Sequence, residues 1–154
     1  MRTSVDVHNF LLERGVPHEM VPTRGRLRSP DRMAAVLGLP PDQVGRVVLL
    51  RGPGDLVAAL VPSHRSPDRQ KIEDVTGQTD LMELPPDEVT EATDYLHEAL
   101  PPAGLPTDTL VLMDRTLADQ EVLYFPGGEP SSLLKIRPED LTRATDARVA
   151  PLAE

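Results

Sequence analysis

Val44–Pro62, VGRVVLLRGPGDLVAALVP, reads as two buried strands, Val44–Leu50 and Leu56–Val61, turned back by Gly52-Pro53-Gly54. Both runs are short, rich in Val and Leu, and bounded by Gly and Pro, which supports strands over a helix. One residue breaks the apolar pattern. Arg46 lies inside the first strand, where a guanidinium is costly to bury without an anionic partner. Either it sits on the solvent face of a half-exposed strand, or it lines a pocket and holds a carboxylate, phosphate or ester.

Around this hairpin the chain alternates between helical and extended patterns. Ser4–Arg14 places Val7, Phe10 and Leu11 at helical spacing and stops at Gly15. His18–Val21 is a short extended piece, followed by an arginine-rich loop. Ser29-Pro30-Asp31 starts a helix with a hydroxyl cap and Pro at the first helical position. Its apolar face is MAAVL, and Gly38 ends it. Ser66-Pro67-Asp68 opens a third helix that ends at Thr76-Gly77, and Pro85-Pro86-Asp87 opens a fourth running through Val89 and Ala92. Thr109–Met113 and Glu121–Phe125 read as a second strand pair, joined through Asp114–Gln120. Leu133–Ile136 is a further strand, and Pro138 begins a last helix or turn. Helices alternating with strand pairs indicate α+β with a mixed sheet. A chain of 154 residues with no repeat or linker suits one domain over 1–154.

Composition narrows the function classes. The chain has no Cys, which excludes disulfides and thiolate metal sites and makes a cytoplasmic home the simplest expectation. No apolar run approaches membrane-spanning length, and MRTSVDVHNF lacks signal-peptide order, so no membrane partner is expected. Seventeen Pro and a single Asn point to a heat-adapted or GC-rich source. Two Phe and two Tyr cannot build a base-stacking platform. A net charge of −9 argues against a DNA binder. The charge is uneven, with 11 Lys/Arg against 7 Asp/Glu in residues 1–71 and 5 against 18 in 72–154. Arg24, Arg26, Arg28 and Arg32 crowd one loop, which is either solvated or a contact for an RNA backbone delivered by a partner.

Motif chemistry adds little. His8, His18, His64 and His97 show no metal-site spacing, and there is no G-x-S-x-G elbow. Gly52-Pro53-Gly54 and Gly127-Gly128 are too short for nucleotide loops. Neither a metal nor an organic cofactor is expected.

Read in order, LGLPPDQVGRVVLL, a strand ending in Val61-Pro62 and a helix after Pro67 resemble the YbaK/prolyl-tRNA editing family of aminoacyl-tRNA deacylases. ATDYLHEALPPAG falls where that family carries a T-G-Y-x-x-G-G-[IV]-S-P-x-G loop. VLYFPGG falls on its strand and glycine pair, and Leu133–Thr145 on its closing strand and helix. The resemblance covers nearly the whole chain. It implies a mixed, partly curled β-sheet flanked by helices, with a pocket between sheet and loops. It also implies hydrolysis of the ester joining a wrong amino acid to tRNA, a second sieve where a first pocket separates a missing methylene by only about 1–3 kcal/mol.

Carried over by position, the family's working lysine falls on Arg46, which clamps oxygens in pairs but cannot take up a proton. In the loop, Thr93, Tyr95, Pro102 and Gly104 match, with backbone donors at Ala103-Gly104 expected to serve an oxyanion. The family's glycine pair falls on Glu98 and Ala99, and its serine on Pro101. Gly127 and Gly128 match, preceded by Pro126. Pro22 and Thr23 stand where a histidine is expected. The resemblance thus marks Arg46 and Gly104 as catalytic, and His64, Arg65, Tyr95, Pro102, Tyr124, Gly127 and Gly128 as substrate-binding. Arg24, Arg26 and Arg28 are the RNA contacts. The expected partners are aminoacyl-tRNA and a synthetase or elongation factor that delivers it. Two functions fit: a divergent deacylase, or a non-catalytic relative that binds an aminoacyl or nucleotide-like ligand, or a protein, through the old pocket.

Overall fold

The computed structural model describes residues 1–24 and 32–154. Arg26, Arg28 and the helix start expected at Ser29-Pro30-Asp31 lie outside the described residues. In chain order the elements are α1 (Ser4–Glu13), β1 (Glu19–Pro22), α2 (Met33–Leu37), β2 (Gly45–Arg51), β3 (Val57–Pro62) and α3 (Arg69–Thr76). There follow β4 (Met82–Glu83), α4 (Pro86–Thr93), β5 (Leu110–Asp114), α5 (Arg115–Ala118), β6 (Leu123–Pro126), β7 (Ser132–Ile136), α6 (Pro138–Thr145) and β8 (Arg148–Ala150). Short 3₁₀ turns occupy Pro41–Gln43 and His97–Ala99.

Local chemistry sets the helix ends. Thr3 and Asp6 form a reciprocal capping box on α1, an arrangement that satisfies two otherwise orphaned amides. Asp68, rather than Ser66, caps α3 by accepting from the Gln70 and Lys71 amides. Pro67 instead bridges to Ala153. Pro86 and Pro138 stand at the first position of α4 and α6, where the missing N–H leaves nothing unpaired.

The hairpin forms as its composition dictates. β2 and β3 pair antiparallel, Gly45 opposite Pro62 and Leu50 opposite Val57. Alternate side chains divide between two cores. Leu49, Ala58 and Leu60 join the main cluster with Val7, Leu11, Phe125 and Leu141. Val48, Leu50, Val57, Ala59 and Val61 join Ile72, Leu81 and Leu152 on the other face. Burial on both faces explains the unbroken apolar run.

The mixed α+β architecture matches the sequence reading, but the sheet is divided. Five strands run in the order β4-β2-β3-β5-β8 and three in the order β1-β7-β6. A lone bridge between Val44 and Tyr124 joins the two sections. The strand pair expected from Thr109–Met113 and Glu121–Phe125 does not form. β5 lies parallel to β3 and β8, while β6 pairs with β7. The connection between them folds as α5, capped by Asp114, and this turn carries the chain from one section to the other.

The final residues fold back beside the end of β3. Buried Asp114 accepts the Leu152 and Ala153 amides at 2.7 and 3.0 Å, and Lys71 donates to the Ala153 carbonyl at 2.9 Å. Among the described residues, no helix is long and apolar enough to cross a membrane.

Candidate functional site

β2 meets β4 only at Leu50 and Arg51, with one further bond from the Leu84 amide to the Leu49 carbonyl. At its other end β2 is preceded by the Val44–Tyr124 bridge. Between these contacts a cavity of about 210 Å³ opens along the strand. Arg46, Val47 and Leu49 line it from β2, Leu84 from just after β4, Val89 from α4, Leu100 from the loop after the His97–Ala99 turn, and Pro126 from the end of β6. Exposed His97 and Glu83 complete the rim. Sites for drug-sized ligands run roughly 300–1,000 Å³. This one falls below that range, with room for about seven waters at bulk density.

Arg46 is half-buried and lines this cavity. Its Nη2 donates to the Arg65 carbonyl at 3.2 Å, while its buried Nε has no partner among the described residues. A buried donor left unmade costs about 1–3 kcal/mol, more when charged. The guanidinium is therefore anchored at one nitrogen and unsatisfied at another.

The other expected site residues are dispersed. Gly104 and Pro102 line a separate hollow of about 240 Å³ with Phe10, Arg14 and Thr145. Tyr95 is wholly buried in the main core. Burial raises its phenol above the ordinary value, Asp6 adds to the shift, and nearby Arg2 opposes it; no well-formed hydrogen bond reaches the hydroxyl. Arg46 and Gly104 thus face different hollows. His64 is on the surface, 3.7 Å from Asp42. Arg65 directs its guanidinium to Thr116 Oγ1 at 3.2 Å and the Glu154 carbonyl at 2.6 Å. Tyr124 packs under Lys135, whose Nζ stands 5.9 Å from the ring centroid. Arg24 is exposed.

Gly127 and Gly128 follow the cavity-lining Pro126, and packing accounts for both. A Cβ on Gly127 would meet the Ser132 carbonyl, and one on Gly128 the Thr3 carbonyl and Val7. Their amides donate to the Ser132 and Ala99 carbonyls at 2.9 and 3.0 Å. The second bond fixes the His97–Ala99 turn against the glycine loop. His97, not Glu98, lines the cavity.

Sequence reasoning missed His97 and Glu83 as rim residues. The signal for His97 was its place inside the loop segment that resembles the editing loop. Glu83 carried none, because the two-residue β4 is too short to show a pattern.

Residues 26–144 match the model of the aminoacyl-tRNA editing domain. The chain is also similar to the crystal structure of a protein described as a candidate trans-editing enzyme for prolyl tRNA synthetase. That match has 26% identity and a TM-score of 0.88, covering 98% of this chain and 96% of the other. A hypothetical protein of known structure matches at 25% identity and a TM-score of 0.90, covering 97% and 99%.

Proposed function

Since this chain belongs to the aminoacyl-tRNA editing domain family, we propose that it hydrolyses the ester of a mischarged tRNA in trans. On this reading Arg46 binds the aminoacylated end, and the cavity beside it accepts the amino-acid side chain. The observation that carries the proposal is the Arg46 guanidinium, anchored at Nη2, unsatisfied at Nε, and lining a cavity walled mainly by apolar side chains with Glu83 and His97 at the rim. Water adds to the ester carbonyl, and the oxyanion collapses by breaking the bond to the ribose oxygen. That oxygen leaves with the proton from water. A fixed guanidinium assists by holding a phosphate or the developing negative charge, in paired hydrogen bonds that water would have to reorganise to make. A synthetase or elongation factor delivers the aminoacyl-tRNA, and Arg24, Arg26 and Arg28 touch its backbone.

The test is a deacylation panel of tRNAs charged with Ala, Ser, Cys and Thr. The expected outcome is release of at least one amino acid and a loss of about 1–3 kcal/mol in tRNA-end binding for Arg46→Ala. No release from any pair, with a known editor active alongside, overturns the enzyme reading.

One observation favours a second reading, in which the pocket binds an aminoacyl or nucleotide-like ligand without turnover. The Gly127 and Gly128 amides are already engaged by Ser132 and Ala99, which removes two natural oxyanion donors from the loop beside the cavity. Equilibrium binding of an uncleavable aminoacyl-adenosine analogue, with no hydrolysis of the ester, would select it.

A further inference from the structure

His8 on α1 and His18 just before β1 form a pair that the cavity at Arg46 does not use. His8 Nδ1 and His18 Nε2 are 2.8 Å apart, with ring centroids at 5.0 Å and planes tilted by 55°. His18 Nδ1 lies 2.8 Å from the Val16 carbonyl. A carbonyl oxygen only accepts, so that nitrogen carries the hydrogen. Nε2 of the neutral ring therefore turns its lone pair toward His8. Anchoring one ring N–H on a backbone carbonyl is how proteins orient metal-ligating imidazoles.

His18 also lines a groove of about 900 Å³. Glu19, Glu121, Glu139 and Asp140 line it against Lys135 and Arg137. The surplus of carboxylates favours cations there.

We propose that His8 Nδ1 and His18 Nε2 together chelate one divalent transition-metal ion of the imidazole-preferring class, such as Zn²⁺, Ni²⁺ or Cu²⁺. In the pair as it stands, His8 Nδ1–H donates to His18 Nε2. On binding, that hydrogen moves to His8 Nε2, and both facing lone pairs then point at the ion with no net proton change. Zn–N bonds of about 2.0–2.1 Å at tetrahedral angles set the nitrogens about 3.3 Å apart. The pair must open by roughly half an ångström, a movement that rotation of the exposed His8 side chain supplies. No group of three His, Cys, Asp or Glu that could hold a metal occurs among the described residues. Water completes the shell, and the ion is exchangeable. Bound, it ties α1 to the start of β1.

Calorimetric titration of the full chain with Zn²⁺ or Ni²⁺ tests this, with Cu²⁺ paramagnetic resonance to count nitrogen ligands. The expected result is one ion per chain, two imidazole nitrogens, and weaker binding at acid pH, where imidazolium cannot ligate. His8→Ala and His18→Ala should each lose more than the roughly 10–100-fold that removal of an outer-shell partner alone can cost. His64→Ala should bind as the parent does. His8→Gln, which keeps a polar side chain on the exposed helix face, replaces His8→Ala if that variant folds poorly. Absence of binding at sub-millimolar ion, or affinity that survives loss of either histidine, overturns the proposal.

Discussion

A buried phenol with no well-formed hydrogen bond is an unusual choice for a core. The Tyr95 hydroxyl is enclosed, and among the described residues the side chains of Arg2, Asp6 and Asp94 act on it. Removing an unsatisfied buried hydroxyl relieves a desolvation cost of about 1–3 kcal/mol, so Tyr95→Phe should leave thermal stability unchanged or raised. A clear drop would mean that the hydroxyl is bonded. Because burial raises the folded phenol above its unfolded value of about 10, the unfolded chain loses this proton first. Stability from this group is therefore complete below about pH 10 and falls as pH climbs beyond it. Tyr95→Phe should flatten that alkaline decline in a pH series of melts. From sequence, Tyr95 read as a substrate contact because it stood at a matching loop position. Spacing along a loop does not reveal which way a ring turns, and here it turns into the core beside Gly104. Arg46 was legible in a different manner. An arginine inside an apolar strand is an anomaly at any register, and the anomaly led to the cavity.

Elements met the same limit. The β2–β3 hairpin was readable because its pairing is local and both faces are buried. The placement of β5 and β6 was not, because each finds its partner by topology: β5 between β3 and β8, β6 against β7. β4 and β8 have two and three residues, too few to show alternation. The glycine loop after β6 was visible as a pair of glycines, and its structure explains why glycine is required. Gly128 has φ of +95° and its missing Cβ leaves room for the Thr3 carbonyl and Val7. Gly128→Ala therefore combines a left-handed strain of about 1–3 kcal/mol with overpacking of similar size. The expected loss is about 2–6 kcal/mol in denaturant unfolding, with α1 displaced from the loop. Since the Gly128 amide also holds Ala99, the His97 rim should loosen with it. A loss below about 0.5 kcal/mol, the range of an ordinary surface change, would show that the junction gives way easily.

The charge distribution sets how this molecule can meet RNA at all. Its net charge is −9, with the excess of acid in residues 72–154. Glu83, Asp87, Glu88 and Glu91 place carboxylates on β4 and α4, elements that wall the Arg46 cavity. A polyanion approaching that side is repelled, while along the sequence positive charge concentrates at Arg24, Arg26, Arg28 and Arg32. Affinity for tRNA alone should accordingly be weak and should improve when a synthetase or elongation factor presents the acceptor end. Counterion release makes this testable independently of chemistry. Each phosphate neutralised contributes about 0.7–0.9 to the slope of log affinity against log salt. Replacing Arg24, Arg26 and Arg28 together with Gln should lower that slope by about 2–3 if each meets a phosphate. Arg46→Ala, acting at the ester end, should weaken binding with a change of at most about one. Equal slopes for the parent and the triple variant would remove the arginine loop from the interface, leaving the Arg46 cavity and a partner protein to account for recognition.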